Sequence, residues 1–474
     1  MIARLPNAVS LATQGVYLPE PSLRFALGRL HTSPKFGLEV WGPHGLDSGV
    51  HRPEVVRIAF VGTAQSIADA RAWMHSCALG VPGEGDVRSF PGFAEDRGFF
   101  CKLLDDPTCD ELLTRHELDG VSGERRLRAR FERGKEILVS KLRHLAERDQ
   151  HLDCVILALP DELLEHCWSV DYRDGAREKV HRDFRRELKV EAMRLRLATQ
   201  ILLERTSRQQ PSDKGVDPKA QAAWNFFTAL YYKAGGIPWV PASLDQRTCY
   251  VGVSFFRPRD GGNRMRASVA QAFNETGDGI VLRGQPFEWD ERDERSPHLA
   301  ADAAQRLVDG TVARYTSELK HPPSRVVVFK SSKYWDDERS GFEKGLASIP
   351  SYDLVSLTPR DDIRLVRVGK YPVLRGTLLS LGNLSLLYTT GYIPALGAYP
   401  HGHLPSPLEL SDHHGDRTVP DLAREILALS KLNWNSAMFA GLLPIPLRFA
   451  KRIGDVLREV PEDLDPLPNF KYYI

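Results

Sequence analysis

The order of hydrophobic and polar positions predicts buried strands that alternate with helices in the first half of the chain. Residues 55–61 and 155–160 are almost continuously apolar, which is typical of strands covered on both faces. Apolar residues at helical spacing over 124–147 and 220–234 predict long helices between and after these strands. Strands that alternate with helices favour a parallel, doubly wound α/β sheet.

From residue 248 the pattern is richer in strands. It predicts a meander that is followed by further strands and helices, whereas the Pro-punctuated segment 1–37 predicts an irregular lead-in. The predicted strands are 249–256, 267–273, 279–283, 325–329, 365–367 and 386–388, and the predicted helices are 300–319, 335–345, 419–432 and 446–460.

The segment 181–200 predicts an amphipathic helix with a charged stripe. One face carries Phe184, Leu188, Ala192 and Leu195, the other carries Arg185, Lys189 and Arg196, and Gln200 opens a β-like run after them. Such a helix could grip an anion, or the stripe could be an ordinary solvated face. Charge alone favours the solvated face.

The composition is that of an ordinary globular protein, and it neither indicates nor excludes binding to nucleic acid. The 474 residues are 42% hydrophobic and 26% charged with a formal net charge of +1, and they are long enough for two cores. A basic cleft could still be balanced by acidic surface elsewhere. Six cysteines without a CxxC pattern predict buried free thiols, and no apolar segment reaches the length of a membrane span. We therefore expect a cytoplasmic protein.

Common catalytic and cofactor motifs are absent from the sequence. It contains no GxGxxG after the first strand, no GxxxxGK[ST] and no GxSxG. Histidines and aspartates at His401, His403 and 412–416 could suggest a metal site, but their spacing matches no familiar zinc pattern, so solvated loop histidines are the favoured interpretation.

Several segments, in the same order along nearly the whole chain, resemble the MID and PIWI domains of prokaryotic Argonautes. They are residues 36–38, 41–43, 184–189, 199–200, 233–239, 371–377, 388–392 and 432–435. The resemblance implies a Rossmann-like MID domain over 38–236 and a ribonuclease-H-like PIWI domain over 237–474, after the lead-in 1–37. The length leaves no room for N-terminal and PAZ domains, so the chain resembles the short Argonautes.

In that family the MID domain holds the 5′ phosphate of a guide strand. The matching residues here are Arg185, Lys189, Gln200, Asn225 and Lys233. The family also holds a divalent cation with the glutamine and the C-terminal carboxylate, so Mg²⁺ is expected at Gln200 and Ile474. An aromatic residue often stands at the position of Arg185 and stacks on the first base; arginine could stack there or pair with phosphate.

Active PIWI domains cleave the target strand with carboxylates that hold two metal ions. The two matching positions here carry Ser254 and Ser331, which cannot supply the negative charge that the metals need, and Lys330 would repel a cation. Asp336 and Asp337 fall several residues late and on a predicted helix. We therefore expect no cleavage, with a guided endonuclease that uses a non-standard metal site as the alternative.

The resemblance to short Argonautes also implies partners. It predicts an RNA guide, a single-stranded DNA target from plasmid or phage, and a partner with an APAZ region fused to a sirtuin-like or TIR-like NAD-consuming effector. The basic helix at 125–143 could line the guide channel or contact that partner. An unrelated metabolic α/β enzyme is a third possibility, which the missing cofactor motifs disfavour.

Overall fold

The structure is a computed structural model. It describes residues 13–50, 52–174, 178–210, 215–245, 247–258, 264–272, 280–289, 296–397, 399, 404–461, 464 and 467–474. His401 and His403 lie outside these residues, as do positions 1–12 of the predicted lead-in.

The part of the chain before residue 248 forms short peripheral strands around one α/β unit. Its strands are β1 (Thr13–Tyr17), β2 (Leu23–Arg24), β3 (Leu30–His31), β4 (Val55–Gly62), β5 (Phe93–Ala94), β6 (Arg97–Gly98), β7 (Lys102–Asp105), β8 (Glu111–Leu112), β9 (Cys154–Leu159), β10 (Ser169–Asp174), β11 (Glu178–Asp183), β12 (Thr199–Leu203) and β13 (Val240–Pro241). Its helices are α1 (Pro34–Trp41), α2 (Ala64–Ala78), α3 (Arg115–Ser122), α4 (Leu127–Ala146), α5 (Asp161–Cys167), α6 (Phe184–Arg194), α7 (Glu204–Arg208) and α8 (Lys219–Lys233).

The remaining elements build a second unit around a larger sheet. Its strands are β14 (Thr248–Phe256), β15 (Arg264–Ala272), β16 (Ile280–Glu288), β17 (Arg325–Lys330), β18 (Ser351–Pro359), β19 (Thr377–Leu381), β20 (Leu384–Leu387) and β21 (Leu408–Gly415). Its helices are α9 (Ala301–Leu319), α10 (Asp336–Gly345), α11 (Val419–Leu429) and α12 (Ile445–Leu457).

The first sheet is parallel, as the sequence predicts. Its order is β12-β9-β4-β7, and β8 pairs with the end of β4. Every residue of β9 is buried, because helices cover both faces of the sheet. The predicted helices α4 and α8 are confirmed, each to within three residues at its start. The carboxyl end of β12 and the neighbouring helices α6 and α8 face the site described below.

The second sheet has nine strands in the order β1-β19-β20-β21-β18-β17-β14-β15-β16. The predicted meander is confirmed as the antiparallel run β14-β15-β16. The strand predicted at 365–367 is wrong: this segment has no regular secondary structure, and the Leu365 N–H donates to the Tyr388 hydroxyl at 3.0 Å rather than to a neighbouring strand. A three-residue apolar alternation without a partner strand does not form a ladder.

Residues 13–37, which the sequence predicts to be irregular, contain strands that join the rest of the fold. Strand β1 pairs with β19 at the edge of the large sheet, and β2 pairs with β13. Glu20 accepts hydrogen bonds from Arg375 (2.8 Å) and Lys431 (2.9 Å), both of which are buried. One carboxylate thus holds two buried cations and fixes the N-terminal segment. The predicted boundaries at 37 and 236 remain predictions.

The C-terminal segment docks into the interior, as its aromatic composition predicts. Phe470, Tyr473 and Ile474 are buried, and the Phe449 and Phe470 rings meet edge to face with centroids 5.0 Å apart. The Tyr473 hydroxyl donates to the Leu467 carbonyl oxygen at 2.7 Å. This packing brings residue 474 to helices α6 and α8. Among the described residues, no helix combines the length and apolar character needed to span a bilayer.

Candidate nucleic-acid interface

Helix α6 carries two basic side chains one turn apart on the same face. Asp183 begins the helix by capping a first-turn N–H at 2.9 Å, so the helix is shorter than the predicted segment 181–200. Arg196 adopts a left-handed φ of 56° just beyond the helix, and main-chain hydrogen bonds at this point close the last helical turn. Arg196 therefore ends the helix instead of sharing a face with Arg185 and Lys189.

The residues predicted to hold a guide 5′ end line a single pocket. The pocket has a volume of about 430 Å³ and is bounded by α6, β12, α8 and the C-terminal segment. All six predicted residues are on its wall: Arg185, Lys189, Gln200, Asn225, Lys233 and Ile474. The fold thus brings together side chains from four separate parts of the sequence, which answers the question that charge alone left open.

Two lysines on the pocket wall are buried without an acidic side chain to balance them. Lys189 is 6% exposed and Lys233 is 1% exposed. Lys189 Nζ donates to the main-chain oxygen of Ile474, and Lys233 Nζ donates to the Thr199 carbonyl oxygen at 3.0 Å and to Gln200 Oε1. Within the described chain, neither ammonium forms an ion pair with an Asp or Glu side chain. Burying an ammonium group without such a partner costs free energy, which a bound anion would offset.

The pKa values of both lysines respond to this environment. Burial lowers the pKa of Lys189 well below its ordinary value, and the positive charges of Lys233 and Arg185 lower it further. Burial, with a contribution from Arg185, lowers the pKa of Lys233 to about 8. An anion in the pocket would favour the charged form of each lysine and reverse these shifts. The pocket therefore gathers the positive charges of Arg185, Lys189 and Lys233, and Asp217 is an acidic side chain on the same wall.

Asn225 contributes a polar group whose orientation is fixed by its neighbours. Its Oδ1 accepts from Gln221 Nε2 at 3.1 Å and from the Ala437 N–H at 3.3 Å. Lys35 Nζ in turn donates to Gln221 Oε1 at 2.7 Å. With the oxygen engaged in this way, the amide nitrogen of Asn225 is the group offered to the pocket, and it is a donor.

The two predicted metal ligands present oxygens of the type that Mg²⁺ prefers. Gln200 Oε1 and the Ile474 oxygen line the same pocket, but each accepts a hydrogen bond from a buried lysine. Nearby ammonium groups repel a dication. The residues therefore fit Mg²⁺ only when phosphate oxygens supply further ligands and negative charge.

Positive charge continues from the pocket along α12, a feature that the sequence analysis missed. Partial desolvation by the surrounding protein lowers the pKa of Arg185 although its side chain reaches the surface, and the nearby positive charge of Arg452 lowers it further. Arg448 lies one turn before Arg452. A buried guanidinium nitrogen of Arg452 has no hydrogen-bond partner among the described residues. In the sequence, this basic surface was indicated by two arginines at four-residue spacing on a strongly amphipathic helix.

The positions that match the carboxylates of active PIWI domains lie side by side. Strands β14 and β17 are parallel with Val253 opposite Lys330. Ser254 is the next residue on β14, and Ser331 is the first residue after the end of β17. Lys330 is fully buried and pairs with Glu338, and its ammonium lies over the Tyr334 ring, 4.9 Å from the centroid. An internal ammonium ion thus occupies the strand ends.

Two other acidic candidates, Asp337 and Asp412, lie near the buried Lys330 rather than forming a cluster with the histidines. Asp336 is exposed on α10, as predicted, and Asp337 is half-exposed. His413 Nε2 lies 2.8 Å from Asp353 Oδ1, within β21 rather than in the predicted loop. Across the described ranges, no group of three or more His, Cys, Asp or Glu side chains is placed to hold a metal ion.

Solved structures match the whole architecture, although no protein-family model and no curated protein sequence does. The chain aligns over 98% of its length with 55% of Clostridium butyricum Argonaute, bound to a guide DNA with a 5′ deoxycytidine and a 19-mer target DNA, at a TM-score of 0.66 and 14% identity. It covers 53% of A. aeolicus Argonaute (95% of this chain, TM-score 0.58, 17% identity) and 56% of Drosophila Piwi (97% of this chain, TM-score 0.60, 11% identity).

The fold is of the Argonaute type. The predicted fold class, a Rossmann-like MID region followed by a ribonuclease-H-like PIWI region, is confirmed. The chain spans about half the length of these Argonaute and Piwi structures. Assignment to the short Argonautes stays a prediction, as do the roles of the individual pocket residues.

The titration of the pocket lysines makes phosphate binding pH-dependent. A bound phosphate raises the pKa of Lys233 from its value of about 8, so the complex binds more protons than the free protein. Affinity for a 5′-phosphorylated strand should therefore fall as pH rises from about 7 to about 9.5, by up to roughly tenfold per unit for one proton. Fluorescence anisotropy measures this directly. The second ionisation of the phosphate is complete above about pH 7, so a constant dissociation constant across this range would contradict the electrostatic account.

Proposed function

We propose that the protein binds a guide strand by its 5′ phosphate and uses it to recognise complementary single-stranded DNA without cleaving it. The observation that carries the proposal is the pair of buried lysines, Lys189 and Lys233, which face a pocket and form no ion pair with an Asp or Glu side chain in the described chain. A terminal phosphate is the natural occupant, because it brings up to two negative charges and several acceptor oxygens to these donors.

The pocket residues divide the work of holding this phosphate. Lys189 and Lys233 would transfer their hydrogen bonds to phosphate oxygens, and the Asn225 amide nitrogen would add a neutral donor. Mg²⁺, if bound, would be held by Gln200 and the Ile474 oxygen and would neutralise phosphate charge. Arg185 is exposed at the pocket rim, where its guanidinium can pair with the phosphate of the next nucleotide or stack on a base.

The guide backbone would leave the pocket along α12. Arg185, Arg452 and Arg448 supply positive charge in that direction. Contacts of this kind hold the backbone and carry no sequence information. Pairing between guide and target would read the sequence, so the protein need recognise only backbone and shape.

We propose that the protein does not cleave its target because of the residues that stand where active PIWI domains have carboxylates. Two serines and a buried Lys330–Glu338 pair occupy the place where two metal ions would need several carboxylates. The exposed Asp336 and half-exposed Asp337 support the alternative, a guided endonuclease with a non-standard metal site.

Without cleavage, another protein must produce the output. We propose a partner with an APAZ region and a sirtuin-like or TIR-like NAD-consuming effector, which guide–target pairing activates in defence against plasmids or phage. The support is the resemblance to short Argonautes and the match to about half of longer Argonaute structures. The guide is proposed to be RNA on the same resemblance. A cytoplasmic location is proposed because all six cysteines are buried free thiols, as in a reducing compartment.

Removing both pocket lysines should abolish the preference for a 5′ phosphate. Each charge-assisted hydrogen bond contributes about 1.5–3 kcal/mol, so Lys189→Ala with Lys233→Ala should weaken binding of 5′-phosphorylated strands by about 100-fold or more. Binding of 5′-hydroxyl strands should change by less than about fivefold, because only backbone contacts remain.

The matched control for this double variant removes two exposed lysines that do not line the pocket, Lys102→Ala with Lys344→Ala. It should weaken both kinds of strand slightly and equally. Equal losses for both strands in the pocket variant would show that its lysines serve only the general positive field.

Target cleavage separates the proposal from its alternative. A labelled target complementary to the guide should remain intact for hours with Mg²⁺ or Mn²⁺, in the wild type and in Asp336→Ala with Asp337→Ala. A single cut at a fixed distance from the guide 5′ end, lost in the aspartate variant, would establish the endonuclease instead. A denaturing gel resolves these products at single-nucleotide resolution.

A further inference from the structure

A series of hydrogen bonds leads from helix α1 to the wall of the phosphate pocket. Lys35 Nζ donates to Gln221 Oε1 at 2.7 Å, and Gln221 Nε2 donates to Asn225 Oδ1 at 3.1 Å. Asn225 lines the pocket, whereas Lys35 and Gln221 lie behind its wall. The Ala437 N–H, in the segment before α12, donates to the same Asn225 oxygen at 3.3 Å. The amide of Asn225 is thus held from two directions.

The ammonium group of Lys35 sets the direction of this series. An ammonium can only donate, so the amide of Gln221 turns its oxygen to Lys35 and its nitrogen to Asn225. That nitrogen is also a donor, so the amide of Asn225 turns its oxygen to Gln221 and keeps its own nitrogen for an anion in the pocket. With the Asn225 amide reversed, an oxygen would face the phosphate and repel it.

The position of Lys35 is one that desolvation disfavours. The side chain is half-buried, and its ammonium lies 5.7 Å from the centroid of the Trp224 ring. Burial lowers the pKa of Lys35 to about 8, an effect that the negative charge of Asp217 offsets in part and the positive charge of Arg88 increases. A lysine in open solvent would avoid this desolvation. The hydrogen bond to Gln221 is therefore built into the fold rather than a chance surface contact.

We propose that Lys35 and Gln221 are positioning residues of the guide pocket, which turn the Asn225 amide nitrogen towards the 5′ phosphate. The proposal rests on the proposed function, because it assumes that a 5′ phosphate occupies the pocket. Lys35 and Gln221 act only through Asn225 and do not touch the phosphate themselves. Helix α1, in which Lys35 stands 186 positions before Gln221, thereby becomes part of the machinery that recognises the guide.

Binding of a short single strand with either a 5′ phosphate or a 5′ hydroxyl, in RNA and in DNA form, tests these roles. Fluorescence anisotropy gives the two dissociation constants, and their ratio is the preference for the phosphate. Asn225→Leu should lower this preference by about 10- to 100-fold, the value of one hydrogen bond to a charged group. Gln221→Met and Lys35→Met should each lower it by about 2- to 12-fold, the value of one neutral hydrogen bond, because the Ala437 N–H still favours the correct orientation. Lys35→Arg keeps a donor and should retain most of the preference.

Combined variants separate a positioning role from a simple effect of charge. Because both residues act through Asn225, adding Lys35→Met or Gln221→Met to Asn225→Leu should lower the preference no further. Lys35→Met should also add nothing to Gln221→Met, in which the ammonium remains but the series is already broken. The matched control is Lys219→Met, on the same helix as Gln221. The Lys219 ammonium donates to Ser76 Oγ at 2.9 Å outside the pocket, so its loss should leave the preference unchanged.

Additive losses in the combined variants, equal losses for the two strand ends, or no loss in Gln221→Met would overturn the assignment. Thermal unfolding of each variant shows whether it is folded. Gln221 is half-buried in the first turn of α8, so Gln221→Met, alone and with Asn225→Leu, carries the test if Lys35→Met does not fold. Failure of the proposed function would be distinct, because the wild type would then bind 5′-phosphate and 5′-hydroxyl strands equally.

Discussion

The burial of two lysines without acidic partners is the constraint on which the functional interpretation depends. Lys189 and Lys233 repel each other, and their hydrogen-bond acceptors in the described chain are the oxygens of Ile474, Thr199 and Gln200 rather than an Asp or Glu side chain. Such an arrangement reduces the stability of the free protein, and the surrounding core must offset it. The electrostatic cost is recovered when a phosphate enters, so the same interaction that strains the fold gives the pocket its affinity.

The fold around this pocket is held by contacts between distant parts of the sequence. Helices α6 and α8, strand β12 and the docked residue Ile474 each supply one wall. Elsewhere in the fold, Glu20 joins two buried cations, and β1 extends the large sheet. These contacts make the two α/β units mutually dependent, so that a conformational change on target pairing could pass from one unit to the other.

Sequence periodicity was sufficient to predict the parallel sheet and the main helices, whereas the convergence of Arg185, Lys189 and Lys233 was predicted from the resemblance to Argonautes. These features depend on local patterns and on a resemblance distributed along the chain. What remained hidden depends on tertiary packing: β1 finds its partner about 360 residues later, and Arg196 ends a helix by backbone geometry. The arginines of α12 were visible as a charge pattern, but their neighbours were not.

The nucleic acid that co-purifies with the protein from cells tests the central claim most directly. The strands can be sequenced and their ends identified by labelling before and after phosphatase treatment. The account predicts short strands of narrow length with 5′ monophosphates, which are lost from the protein when Lys189 and Lys233 are both replaced by alanine. Protein that carries no short strands, or strands with 5′ hydroxyl ends, would contradict it.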